Sequence, residues 1–452
     1  MKEKNNVSRR KFLKGAGVVA VGAGATALAA CAPAAAPAPT AAPAANATKA
    51  PVVLKGATIN WLGGSWSFLP ELDPVIDNFA KDWATQNGVT INFERESTNL
   101  AAKIQTAIET GKGANIIQLA DAPAGWAKSL SDVSTVAEKL SAEGGGYLPA
   151  APFQCNDGSK WIALPLGQHN WFMNYRADWF KEAGYDKFPD NFDDLLAAGT
   201  KLKAAGHPFG WTMGDKAGGD GNAAPYIILW GFGGKEFNPD GSIALDSKET
   251  LAALDYFIKF HKQAGDPEEI AYDDGANNTN FNQGKISLTA NVNTIYLPAK
   301  KNFPAVAEGM NHAIPPKGPA GRFGACTLPW WGILNHTKGA DLDAAKAYIG
   351  DFMAMKNLGK FYKAGQGYIL PLLPKYDSED IWPSDPKLAI AKEMFKLALP
   401  AGYALKNQTK LASLMQSKLI VGKMFAQAVI LNDSRKALDG ALKDIADLKL
   451  LA

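Results

Sequence analysis

The chain is short of most residues that carry covalent or metal chemistry. It has three cysteines and five histidines in 452 residues. No Cys-x-x-Cys pair occurs, and the histidines fall in no metal-ligand spacing. Gly-x-Ser-x-Gly and His-Glu-x-x-His are both missing, which removes the common sequence-local hydrolase signatures. No cofactor is expected. Beyond residue 30 the only arginines are Arg95, Arg176, Arg322 and Arg435, too few for a clustered phosphate-ester site. The formal charge of +3 is concentrated at the start, where Lys2, Lys4, Arg9, Arg10, Lys11 and Lys14 face only Glu3. The remainder stands at −2, which gives no electrostatic case for nucleic acid. After Gly15–Ala30 no apolar run approaches the ~20 residues of a membrane span.

What is present begins with that leader. Ser8-Arg9-Arg10-Lys11-Phe12-Leu13-Lys14 sets two arginines before an uncharged stretch that is itself too short to span comfortably. It resembles a twin-arginine export signal, residues 1–30, cleaved in the mature protein. Leu28-Ala29-Ala30-Cys31 resembles a bacterial lipobox, which implies lipidation of Cys31; the competing reading is an ordinary secretory signal with a chance cysteine. Ala32 to Ala50 is nearly all Ala and Pro, so residues 31–55 read as an extended tether from the outer face of a membrane. Each buried lipid methylene contributes ~0.8 kcal/mol, so several chains make a lasting anchor. Cys155 and Cys326 could pair outside the cytoplasm, but two buried thiols are the default.

From about Lys55 the pattern is globular and long enough for two domains. Ala57–Leu62 reads as a strand broken by Gly63-Gly64-Ser65. Leu72 to Gln86 has helical apolar spacing ended by Gly88, and Val89–Phe93 is the next strand. Leu100, Ile104, Ala107 and Ile108 mark a helix stopped by Gly111, and Asn115–Leu119 a third strand. This alternation predicts an α/β fold with a mainly parallel sheet, whose ligands sit at strand carboxyl ends, near the Gly63–Phe68 loop and Asp121. Trp161–Leu166 reads as a hairpin strand after the Asn156-Asp157-Gly158 turn, and His169–Tyr175 as the strand after it. Helices are expected at Phe192–Ala205, Lys248–Gln263 and Asp341–Lys356.

The order of these segments resembles the extracellular solute-binding proteins of ABC importers, the group that includes maltose-binding protein and other sugar-binding lipoproteins. The resemblance rests on Asn156–Pro165, on Phe172–Tyr175 with Trp179-Phe180 and Ala183-Gly184, on Phe188–Leu195, on Phe281–Leu288 and on Pro316–Gly321. These segments stand in the family's order. The family's Met-x-x-x-Gly-x-Trp pattern is replaced by Leu288–Tyr296, so Tyr296 is expected in place of its aromatic, with Asn291 and Asn293 as polar partners. Gln168-His169-Asn170-Trp171 is similar to a subgroup associated with monosaccharide import. The resemblance implies two α/β lobes, residues 56–166 with 328–374 and residues 167–327 with 375–452, joined by crossings at 166–169, 327–331 and 369–374. It implies hinge closure on a solute.

It also implies a monomeric receptor that passes a carbohydrate to ABC permease subunits. A sugar site combines aromatic plates with hydrogen-bonding side chains. The candidates are Trp66, Asp121, His169, Asn170, Trp171, Trp230, Asn291, Asn293, Tyr296, Trp330, Trp331, Gln366 and Tyr368. Each of Trp66, Trp230, Trp330 and Trp331 stands equally for plate or core, and strand alternation needs only one of Trp330 and Trp331 to face the cleft. Asp121 has a turn-capping alternative and His169 a satisfied hinge role. Trp61, Trp83 and Trp179 are assigned to the core. The Asp273–Asn280 run lacks calcium-loop spacing and reads as a turn. The alternatives to a sugar are a polyamine, expected to sit among carboxylates and aromatics, a polyol phosphate and a metal chelate. A secreted glycan-processing enzyme is the remaining alternative.

Overall fold

The computed structural model describes residues 54–67, 69–96, 99–214 and 218–452. The export signal, Cys31 and nearly all of the tether lie outside the described residues, as does Phe68.

The opening alternation folds as its periodicity predicts. β1 (Thr58–Gly63) leads into the helix Leu72–Asn87, which buries Leu72, Ile76, Ala80 and Trp83. Gly88 stops that helix at φ +65°, a left-handed position where a Cβ is costly. β2 (Thr90–Arg95) returns parallel to β1, pairing Thr58 with Thr90 through Gly63 with Arg95. β3 (Ile116–Leu119) flanks the other side of β1, also parallel.

Two expected strands change on folding. Of Trp161–Leu166 only β4 (Leu164–Pro165) enters a ladder, while Trp161 makes a single bridge to Asn156 across the turn. His169–Tyr175 is two strands rather than one. β5 (His169–Asn170) and β6 (Phe172–Arg176) join different sheets, and Trp171 sits at the switch with its backbone N–H on the Ala325 carbonyl. The predicted Asp341–Lys356 helix runs instead over Gly339–Met353, because Ala354 is extended and a new helix, Met355–Gly365, starts after it.

β6 pairs antiparallel with β7 (Leu288–Asn291) and β8 (Met310–Ala313). β9 (Gly324–Thr327) pairs with β5, and β10 (Trp330–Ile333) enters the first sheet antiparallel to β3. β11 (Ala398–Pro400) lies on the far edge of β9. The strand orders are therefore β2-β1-β3-β10-β4, β11-β9-β5 and β7-β6-β8.

Two large cores result. One lies on the first sheet and gathers Trp61, Trp331, Tyr348, Phe352 and Phe361. The other is mostly helical and gathers side chains from Phe192–Ala264 and Ala401–Leu448. Between them, Gln168 bridges to Leu370, and β9 passes through Leu328 and Pro329 into β10. Cys155 and Cys326 are both buried free thiols, and burial pushes both thiols up, as expected of inert core cysteines.

Candidate functional site

A cavity of about 160 Å³ opens where β5, β7 and β9 meet the start of the helix Asp220–Gly231. Its walls differ in chemistry. One wall carries His169 from β5 and Tyr368 from the turn after the helix Met355–Gly365. Their rings lie 4.5 Å apart, and Trp66 stands edge-on to both, at 6.0 Å from His169 and 6.1 Å from Tyr368. A second group of lining residues is polar: Asp220, Asp274, Asn278, Asn291 and Thr294.

Asp220 organises that second wall. Its Oδ1 accepts the Trp171 indole N–H at 2.5 Å, and its Oδ2 accepts Asn277 Nδ2 at 3.0 Å and Asn291 Nδ2 at 2.8 Å. Trp171 can close on the helix start because Gly219 has no side chain; a Cβ there would come 2.8 Å from the indole ring. Asp274 accepts the Gly218 backbone N–H at 2.7 Å, and the N–H groups of Gly219 and Asp220 also favour its charged form. The exposed donors at a helix start thus hold a carboxylate, as that end of the macrodipole favours. Burial and the nearby Asp274 charge nevertheless push the Asp220 carboxyl well above the usual range, and burial raises Asp274 as well. Asn291 ties the wall together: its Nδ2 also reaches Asn278 Oδ1 at 2.5 Å, and its Oδ1 accepts from Thr294 Oγ1 at 3.1 Å.

His169 is the exception among these satisfied groups. It is buried, and its Nε2 has no partner among the described residues. Burial pushes its pKa down to about 3, so the imidazole is neutral at ordinary pH. Among the described residues, no lysine or arginine lines the cavity.

Of the thirteen candidate residues, His169, Trp171, Asn291 and Tyr368 line this cavity, and Trp66 packs behind its aromatic wall. Asn170 and Asn293 are close in sequence but turn elsewhere. Asn170 is buried with both amide atoms unpaired, and Asn293 donates to the Gln366 carbonyl at 2.7 Å. Gln366 itself is an exposed helix-ending residue at φ +46°.

Four expected aromatics sit in cores. Trp230 stacks on Tyr226 and gives its N–H to Glu236 at 2.8 Å. Trp331 stacks on Phe352 and donates to Gln118 Oε1 at 2.8 Å. Trp330 donates to the Asp121 carbonyl in a separate small core. Alternation along β10 therefore puts the two indoles on opposite faces of a sheet that is covered on both sides, and neither reaches this cavity. Tyr296 packs edge-on to His312 and donates to Asp385 at 2.8 Å, in another small core.

Asp121 lies in a different hollow, of about 560 Å³, beside Trp126, Lys128 and Lys410. Its Oδ2 accepts from Trp126 Nε1 at 3.2 Å, its Oδ1 is unpaired, and burial pushes its pKa up to about 6. Ala120, one residue earlier, lines the smaller cavity.

Sequence reasoning missed Asp220 and Asp274. Asp220 follows Gly218-Gly219 at the start of an apolar helix, a detectable signal. Asp274 was hidden in the run read as a turn. Asp273 does cap a turn there, accepting from Gly275 and Ala276, but the helix Ala276–Asn282 follows and brings Asn277 and Asn278 to Asp220 and Asn291.

A family model described as bacterial extracellular solute-binding protein matches residues 69–356. A putative binding protein of Brucella abortus (strain 2308) is 25% identical over 295 residues, covering 63% of this chain and 68% of that one. Solved structures share the fold at lower identity. Maltose-bound MalE3 of T. maritima superposes with a TM-score of 0.71 at 20% identity, over 87% of this chain and 100% of that one. A sugar transporter protein from Arthrobacter chlorophenolicus A6 with bound laminaribiose gives 0.73 at 17% identity, over 86% and 99%. An ABC transporter solute-binding protein from Agrobacterium radiobacter K84 in complex with ribitol gives 0.69 at 18%, over 87% and 99%. The α/β expectation and the two-lobe binding-protein architecture both hold.

Proposed function

We propose, from the premise that the chain belongs to the bacterial extracellular solute-binding protein family, that it is the capture subunit of an ABC importer for a small polyhydroxylated solute of the carbohydrate class. The observation that carries the reading is the cavity lined by rings and by hydrogen-bonding side chains. Rings cover the C–H faces of a sugar or polyol, while Asp220, Asn278 and Asn291 meet its hydroxyls. At about 160 Å³ the cavity is small, so one sugar unit suits it better than a chain.

The lobe boundaries at 56–166 with 328–374 and 167–327 with 375–452 belong to this reading, as does hinge motion about the three crossings. So do Cys31 as the lipid anchor on the extracytoplasmic face and delivery of the solute by a monomer to permease subunits. Maltose, laminaribiose and ribitol in the similar structures support a hydroxylated ligand.

The test is a thermal-shift and calorimetric screen of monosaccharides, polyols and short oligosaccharides, with product analysis. A ligand at 100 times its Kd stabilises the fold by about 2.7 kcal/mol. Stabilisation by one small solute, recovered unchanged, is the expected result. Bond cleavage by the pure protein would replace the receptor with an enzyme.

A further inference from the structure

The acidic wall is an unusual surface to offer a neutral solute. Asp220 and Asp274 both lie at one cavity, and the side chains that satisfy Asp220 are neutral: an indole and two amides. Such donors orient a carboxylate and lower its cost, but they supply no opposite charge. Among the described residues lining the cavity, none is cationic, and His169 is neutral. A phosphate ester or carboxylic acid would find no cation here, and it would meet like charge wherever these carboxyls ionise, which disfavours the polyol-phosphate alternative.

The second, independent observation lies on the other wall. His169 is nine-tenths buried, lines the cavity and leaves Nε2 without a partner. A neutral imidazole with a free ring nitrogen accepts a hydrogen bond when its tautomer presents the lone pair. Beside it, Tyr368 offers aromatic surface, which attracts a cation electrostatically, with Trp66 edge-on to it. Acceptors on both walls and rings on one call for a compact donor-rich cation.

We infer that the cavity selects a solute bearing a protonated amine, seated between the Asp220–Asp274 pair and the rings of His169 and Tyr368. The inference rests on the receptor reading and narrows its substrate class. An ammonium brings several N–H donors and the missing positive charge together, which a hydroxyl does not. The amine could belong to an amino sugar or to a short polyamine, and the two share this chemistry.

Calorimetry at pH 7 on the full mature chain separates the outcomes. The probes are glucosamine, glucose, N-acetylglucosamine, ribitol, putrescine and spermidine. The expected result is that at least one amine binds about tenfold or more tighter than every neutral probe. Preference for glucosamine assigns the amine to a sugar, and preference for putrescine or spermidine assigns it to a polyamine. Asp274→Asn keeps an oxygen for the Gly218 N–H and removes the charge. It is expected to cut the amine preference over neutral solutes to below about threefold. The ligand comparison on the unaltered protein stands whether or not that variant folds. If glucose, N-acetylglucosamine or ribitol binds as tightly as the amines, the inference fails and the receptor reading survives. If no probe binds the folded protein, the inference fails, and the wider screen of sugars and polyols decides the receptor reading.

Discussion

The two walls of the cavity solve opposite problems. The aromatic wall continues a core: Trp66 and Tyr368 pack with Phe361 and the other rings that cover the first sheet. Its groups are held by apolar contact, and its unpaired atoms are the Trp66 Nε1 and the His169 Nε2. The acidic wall is held by hydrogen bonds drawn from four separate segments, the β5–β6 switch at Trp171, the helix starts at Asp220 and Ala276 and the end of β7. The lesson is that stability and recognition are divided between the walls. One wall owes its shape to packing that exists anyway, while the other stores buried carboxylates at a cost that a bound solute can offset.

The largest expected effect comes from removing the hub of the acidic wall. Asp220→Ala leaves the donors of Trp171, Asn277 and Asn291 without that acceptor. Each orphaned buried donor costs about 1–3 kcal/mol, offset in part by relief of the buried charge, so a net loss of about 3 kcal/mol is expected. Urea unfolding measures it, and calorimetry should show affinity reduced by about a hundredfold or more. An unchanged midpoint with unchanged affinity would show that this wall is a passive surface.

The next effect in size separates the walls by the sign of their pH response. His169 is held neutral in the fold down to about pH 3, whereas the unfolded chain protonates it near 6.5. Its contribution is therefore complete above pH 6.5 and is lost as pH falls, by about 2 kcal/mol between 6.5 and 5. Asp220 and Asp274 act the other way. They keep protons that the unfolded chain releases, so their contribution is complete below the ordinary carboxylate range and is lost as pH rises through their raised values. Melting temperatures against pH should flatten on the acid side in His169→Gln and on the alkaline side in Asp274→Asn. Curves parallel to the unaltered protein would mean that neither wall titrates as its burial requires.

Legibility in the sequence follows the range of the interaction. The first strand, helix and parallel strand were readable because periods of 2 and 3.6 are local and Gly88 and Gly111 end their helices at φ +65° and +63°. The switch at Trp171 was not, since an extended run does not say when it changes sheets. Tryptophans were the least legible. Trp331 becomes core because Gln118, distant in the chain, takes its N–H and Phe352 stacks on it, while Trp230 is held by the nearby Glu236 and Tyr226 in a helix whose burial the rest of the core sets. His169, Trp171, Asn291 and Tyr368 were found because they flank predicted crossings or the family-ordered segment. Asp220 and Asp274 escaped because a carboxylate pair made by one helix start and one loop has no spacing in sequence.

The smallest expected effect is also the sharpest on the role of the aromatic wall. If that wall recognises through its faces, the Tyr368 ring matters and its hydroxyl matters little. Tyr368→Phe keeps the ring against His169 and edge-on to Trp66. Stability should stay within about 0.5 kcal/mol, as for changes that break no packed contact. Affinity should fall by less than about fivefold, against a far larger loss in Tyr368→Ala, which removes the plate itself. The proximity of Asp220 and Asp274 gives the hydroxyl a competing claim, because burial first and then these two carboxyls hold the phenol protonated. Equal losses in the two variants would show that the hydroxyl, not the ring, meets the solute. Tyr368 would then belong with the acidic wall, and recognition would be polar from both sides.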